Sequence, residues 1–349
     1  MTTGTGVLPA PSTTPARADR GGRRWTGLLV GVAALVVAVA LSIAVGSRSL
    51  GLGVVWQVLW HDDGSPAAVI VHSLRLPRTL LGIGVGAALG LAGTIMQALT
   101  RNPLAEPGLL GVNLGASTAV VLAIAYLGVA GATGYVWFAF AGAALSAAAV
   151  FALGGSGRNP TPERQILAGI SFTSVLGALV WAVLVTRREA FDRYRHWDVG
   201  SLADRETATI VQVMPFIAVG IVLALALGRQ LNALSMGDES ATSLGARPAR
   251  IRFLGMVAIT LLCGGATAAS GPIWFLGLAV PYASRLFTGS DQRWILAYSL
   301  VLGPTLLLLS DVLGRVLVAP AELPVGVVTA FLGAPLFIAL CRRRKLSVW

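Results

Sequence analysis

The sequence predicts an all-α, polytopic membrane protein with about ten transmembrane helices, and three observations carry that reading. Hydrophobic residues make up 55% of the 349 positions and charged residues 12%, where soluble domains carry about 25% charged residues. Mean hydropathy is +0.78. The apolar residues fall in runs close to the roughly 20 residues that a helix needs to cross a bilayer. No large soluble domain fits between them.

Taken in order, residues 1–24 are rich in Thr, Pro, Gly and Arg without an apolar period, which reads as a disordered cytoplasmic tail. A transmembrane body then runs over 25–345, with a short cytoplasmic tail at 346–349. Spans are expected at 27–46, 79–99, 108–130, 134–153, 165–186, 207–228, 253–270, 272–287, 294–317 and 324–341. The first, preceded by Arg23 and Arg24, resembles a signal peptide, but its length and the nine runs after it favour an uncleaved span. In the second, Gly82, Gly86, Gly90 and Gly93 recur on one helix face. Small residues so spaced let helix backbones approach closely, and the same face could line a pathway. The eighth run is short and carries Pro281 and Arg285. A half-helix there is tolerated where protein rather than lipid surrounds it.

Two breaks between runs have their own chemistry. In "RNPLAEPGLLGVNLGAS" (101–117), Pro103 and Pro107 turn the residue before each away from helix, and Asn102 or Glu106 can cap backbone N–H groups. In segment 229–252, "LNALSMGDESATSLGARPAR" contains two short helix signals. Gly237 can end the first at its C′ position. Asp238 can cap the second, with Glu239 in its first turn favourable to the helix dipole; Gly245 and Pro248 stop it.

Charge sets the orientation, because Lys and Arg stay on the cytoplasmic side. With both termini inside, the inner segments hold 17 of the 26 basic and six of the 15 acidic residues, so the whole net charge of +11 lies on that side. A pI near 11 is therefore a topology signal, and nucleic acid is excluded as a partner.

Catalytic and redox classes find no support. Cys263 and Cys341 lie within or at the end of spans, which argues against a structural disulfide, and His61, His72 and His196 lack metal-ligand spacing. The spans hold few of the ionisable groups that mark proton or ion pathways; Asp311 and Arg315, four apart, can pair on one helix face. A proton-coupled secondary carrier or a membrane-embedded enzyme would be expected to show more. The chain has one lysine, Lys345, and no GxxxxGK[ST] loop to cradle ATP. Transport energy then comes from a separate ATPase subunit.

The segments "RLPRTLLGIGVGAALGLAGTIMQALTRNPLAEPGLLGVNLGAS" (75–117), "LNALSMGDESATSLG" (231–245), "SGPIWFLGLAVPYASRL" (270–286) and "APAELPVGVVTAFLGAPLF" (319–337) closely resemble the permease subunits of bacterial ABC importers for iron-siderophores, haem and cobalamin. The resemblance runs in order from about residue 25 to 345. It implies a type II ABC importer permease fold in the bacterial inner membrane. The implied substrate is a ferric siderophore, with haem or cobalamin as alternatives. The implied partners are two cytoplasmic ATPases that carry ATP and magnesium, an external substrate-binding protein, and a second permease copy or paralogue. No cofactor is implied for this chain.

Residue roles follow from the same resemblance. The pair of short helices, with Leu234, Gly237, Asp238, Glu239, Ala241, Leu244 and Gly245, corresponds to the coupling helices that dock on the ATPase. Arg75, Arg78 and Arg315 match arginines that dock the binding protein, and interfacial snorkelling is the competing role. The turn with Asn102, Pro103, Glu106 and Pro107 lies near the inner mouth of the family's pathway. Where the family has "VPH" and "GPIGF", this chain has Tyr282 and Trp274, which fits either a different ligand or local repacking. Segment 187–206, with both charge signs and three aromatics, could add docking or substrate contacts.

Overall fold

The structure, a computed structural model, describes residues 19–46, 50–61, 63–129, 131–155, 162–203, 205 and 207–342. Fifteen α-helices follow one another, and no strand occurs among the described residues. They are α1 (Asp19–Ala44), α2 (Leu52–Trp60), α3 (Pro66–Val69), α4 (Leu76–Thr100), α5 (Val112–Leu127), α6 (Ala132–Gly155), α7 (Pro162–Thr186) and α8 (Arg188–Asp198). After these come α9 (Thr207–Ala226), α10 (Gly228–Ser235), α11 (Asp238–Ser243), α12 (Pro248–Ser270), α13 (Leu276–Thr288), α14 (Gln292–Leu317) and α15 (Val325–Arg342). A π-helical turn, Ile70–Arg75, fuses α3 to α4.

Eight helical segments among the described residues are long and apolar enough to cross a membrane, the longest being Pro66–Thr100. The other two expected spans are shorter. α5 has 16 residues because a 3-10 turn, Pro107–Leu110, and a left-handed Gly111 precede it. α13 has 13 residues, about 20 Å at 1.5 Å per residue, against a hydrocarbon core of about 30 Å. This agrees with the half-helix reading of the eighth run, and the non-helical segment 271–275 precedes it. At the other extreme, α1 begins at Asp19, so the last six residues of the tail expected to be disordered over 1–24 are helical. The tail over 1–18 and the C-terminal tail lie outside the described residues.

α4 is the centre of the molecule, packed against α14, α12, α13 and α9. Its glycine face explains how. A Cβ at Gly86 would meet the backbone of Gly303 and Pro304 on α14, one at Gly90 would lie 2.9 Å from the Ser299 carbonyl, and one at Gly93 would overlap the Gly277 backbone on α13. Gly303 faces Gly86 in return. Backbones this close gain dispersion contacts that lipid cannot match, and Thr94 Oγ1 and Ser299 Oγ add a buried hydrogen bond of 2.8 Å across the same contact.

The polar bonds define two ends. Arg24 at the start of α1 donates to the Thr288 carbonyl at 2.7 Å, and Arg101, just after α4, donates to the Leu234 carbonyl of α10 at 3.1 Å. These contacts gather the α1 start, the α4 end, α10 and the α13 end. At the opposite end, Arg75 and Arg315 donate to carbonyls of residues 42–45, where α1 finishes.

Candidate functional site

At the first end, α10 and α11 form the compact pair expected from segment 229–252. α10 closes at Met236, and Gly237 follows with φ 108°, ψ 154°. A Cβ there would meet nothing within 4 Å, so its positive φ, which side chains rarely adopt, is the reason for glycine. Gly245 closes α11 with φ 79°. Leu234 and Ala241 are fully buried and hold the pair on the bundle, while Met236 and Leu244 are each 66% exposed. Glu239 opens α11 beside Asp238.

Asp238 corrects the sequence reading. It is the first residue of α11, not its cap, and Pro248 opens α12 instead of stopping α11. The Asp238 carboxylate pairs with Arg101 and, at 2.8 Å, with Arg252 of α12. It thereby ties α11 to the end of α4 and the second turn of α12. A second tie comes from α10, where Asn232 Nδ2 donates to Asp291 Oδ1 at 2.8 Å and Asn232 Oδ1 accepts from the Gln292 N–H at 2.7 Å. Sequence reasoning counted Arg101, Arg252 and Asp291 only as inner-side charges and passed over Asn232. The one available signal was a carboxylate set among basic residues.

The turn after α4 reaches inward from this end. Asn102 Oδ1 accepts from the Leu104 N–H at 2.9 Å, a local turn cap. Glu106 Oε1 accepts from the Phe275 N–H at 2.6 Å, across 169 positions. Phe275 is left-handed, φ 68°, and stands at the N-terminus of α13. Both capping expectations hold, but Glu106 caps the half-helix instead of its own strand of chain. Pro107 is buried and packs on Gly277 of α13; Pro103 is half-buried in the same turn. The Trp274 ring covers Gly108, where an added Cβ would come within 3.0 Å of it. Tyr282, nearly two helical turns into α13, is half-buried, and Arg285, three residues on, donates to Gln97 Oε1 at 2.6 Å.

At the opposite end, Arg75, Arg78 and Arg315 do come together. They line a cavity of about 710 Å³ with Arg205, His196 and Glu322. Arg78 forms a two-pronged pair with Asp311, Nε to Oδ2 at 3.0 Å and Nη2 to Oδ1 at 2.7 Å, and reaches Glu322 at 2.6 Å. Such parallel N–H···O bonds fix orientation as well as energy. Arg315 joins Asp311 Oδ2 at 2.8 Å, the pair expected from their spacing. It also donates to Ser42 O and Val45 O, both at 2.9 Å, while Arg75 donates to Ile43 O and Ala44 O at 2.8 and 2.7 Å. These are the orphan carbonyls at the end of α1. Both arginines are buried, so neither snorkels into solvent. Beside the cavity α8 carries Tyr194, whose hydroxyl donates to Asp198 Oδ1 at 2.6 Å; burial raises the Asp198 carboxyl above its ordinary value, and that bond offsets part of the rise.

A helical membrane body, a compact helix pair clamped at one end, a half-helix in its middle and a charged cavity at the other end define a transporter's transmembrane subunit. The chain belongs to the FecCD transport family, which matches residues 34–343. It is similar to the ferric enterobactin transport system permease protein FepD of Escherichia coli (strain K12), 46% identical over 89% of this chain and 93% of that protein. Similarity to the hemin transport system permease protein HmuU of Yersinia pestis is 37% over 93% and 98% of the two chains. A solved inward-facing metal-chelate type ABC transporter superposes with a TM-score of 0.79 at 28% identity, covering 93% of this chain and all of that one. The protein is a multi-pass ABC transporter permease subunit of the bacterial inner membrane, and ATP hydrolysis belongs to a separate subunit.

Proposed function

We propose that this permease imports a ferric siderophore delivered by an external binding protein, with N- and C-termini in the cytoplasm. The 46% identity to a ferric enterobactin permease along nearly the whole chain carries the substrate reading, and it exceeds the 37% shared with a haem permease. Two ATPases that hold ATP and magnesium dock at the α10–α11 end. Exposed Met236 and Leu244 supply the apolar contact; Gly237 and Gly245 shape the pair, and Asp238 and Asn232 pass its movement to α4, α12 and α14. The turn with Asn102, Pro103, Glu106 and Pro107, linked to α13 by Glu106 and roofed by Trp274 near Tyr282, acts as the inner gate. At the cavity end Arg78 faces acidic groups of the binding protein, with Arg75 and Arg315 holding its frame. A second permease, a copy or a paralogue, completes the pathway.

The test is uptake into proteoliposomes containing the permease, its ATPase and its binding protein. Ferric catecholate should accumulate only with ATP on the ATPase side and despite a proton uncoupler. Uptake of haem but no ferric siderophore would overturn the substrate reading, and uncoupler-sensitive, ATP-independent uptake would overturn the mechanism.

A further inference from the structure

Helix α2 has the composition of neither a span nor a loop. Its nine residues, LGVVWQVLW, contain no charge. One face, with Val55 and Val58 7% and 3% exposed, packs on Ala68 and Val71, and His72 Nε2 bonds the Val58 carbonyl at 2.9 Å, pinning α2 to the π-helical turn. The opposite face shows Trp56 and Trp60, one helical turn apart, 66% and 67% exposed, their rings edge to face at 5.8 Å. Two large apolar rings turned outward in this way call for a partner.

The fold says where they sit. α1 rests on α14 and turns Leu29, Val30, Val36, Val37 and Leu41 outward, so lipid bathes its free side. Seven residues after α1 ends, α2 begins, at the end opposite α10–α11. Tryptophan has an apolar body and one N–H donor, which suits the boundary between acyl chains and headgroups. α2 carries no charged group of its own to steer a protein partner and contributes nothing to the charged cavity, and the exposed Asp63 follows three residues after Trp60.

We propose that α2 is an interfacial anchor whose Trp56–Trp60 face inserts into the outer leaflet of the bilayer, fixing the depth of the α1 end and the α4 start. The inference rests on the membrane-spanning reading of α1 and, for the choice of leaflet, on the proposed cytoplasmic N-terminus, but not on the substrate or on docking of a binding protein.

The experiment compares the wild-type permease with the Trp56→Phe/Trp60→Phe variant in lipid nanodiscs. The emission lost in the variant should be blue-shifted and cut by about half by phospholipid brominated near the headgroup end of its chains, as a burial depth of about 5–10 Å requires. It should resist aqueous iodide. Emission quenched by iodide and indifferent to brominated lipid would overturn the proposal, as would iodide quenching relieved only when the external binding protein is added. If the double variant misfolds, a nitroxide at Trp56→Cys in a Cys341→Ser background reads the same boundary. There, access to oxygen above access to a water-soluble nickel reagent supports the anchor, and the reverse order rejects it.

Discussion

Asp311 is the residue on which the cavity end depends. Its two oxygens receive Arg78 and Arg315, and both Asp311 and Arg315 side chains are almost fully enclosed, 1% and 2% exposed. Burying two guanidinium groups around one carboxylate is tolerable because Arg78 Nη1 also meets Glu322 and the two Nη atoms of Arg315 also meet α1 carbonyls and the Ser42 hydroxyl, leaving Arg315 Nε as the one buried guanidinium nitrogen of the pair without a partner. Remove the carboxylate and both cations remain in a low-dielectric site. Asp311→Ala should therefore cost about 3–5 kcal/mol, the range for breaking a buried pair, read as a fall in detergent-phase melting temperature. Glu322 is 29% exposed on its side chain, so Glu322→Gln should cost no more than about 1 kcal/mol. Equal losses from the two variants would mean that the network does not centre on Asp311.

Among the elements, the α4 seam is tested by packing and the α10–α11 pair by the coupling proposed for it. The α4 seam against α14 and α13 has no spare volume, since a side chain at Gly93 would strike the Gly277 backbone. Gly93→Val should reduce stability by about 1–3 kcal/mol or more by overpacking, seen as lost monodispersity and a lower melting temperature. Gly53→Ala on α2, where a Cβ meets nothing within 4 Å, should be silent in the same assays. The α10–α11 pair is held to the bundle through Asp238. Asp238→Asn keeps the shape but weakens the tie to Arg101 and Arg252. The protein should still reach the membrane and bind the ATPase, while substrate transported per ATP falls several-fold. An unchanged ratio in proteoliposomes would remove Asp238 from the coupling path. Replacing Gly245, at φ 79°, by a bulky residue should have the same effect by forcing the end of α11 out of shape.

Across the whole molecule, charge and packing separate the two ends. The cavity opposite α10–α11 gathers Arg75, Arg78, Arg205 and Arg315 against Glu322 and the neighbouring Asp311. Under the proposed docking of an acidic binding protein at this cavity, a positive excess would speed its approach more than it strengthens the finished complex. Reversal of Arg315 would leave like charges facing Asp311 and disrupt folding first, so docking is better tested through Arg78→Gln. The expected outcome is a slower association rate at low salt that converges with wild type once salt screens the field. Association unaffected at low salt would assign these arginines to the fold alone.

The amino-acid order was enough for those features that depend on neighbours in the chain. Apolar runs placed every major helix, the short eighth run with Pro281 foretold the half-helix α13, and the glycine spacing of α4 marked its packing face. Gly237 and Gly245 announced a compact turn pair because positive φ is a local demand. Folding decided whatever depends on residues distant in sequence. Arg75 and Arg315 read as exposed outer charges until the end of α1 closed over them. Asp238 looked like a helix cap until Arg101, 137 positions away, met its carboxylate. Glu106 found Phe275 across 169 positions. Periodicity and capping report the conformation of a few consecutive residues, whereas the partner of a buried charge is chosen by which helices the close-packed glycine seams bring together.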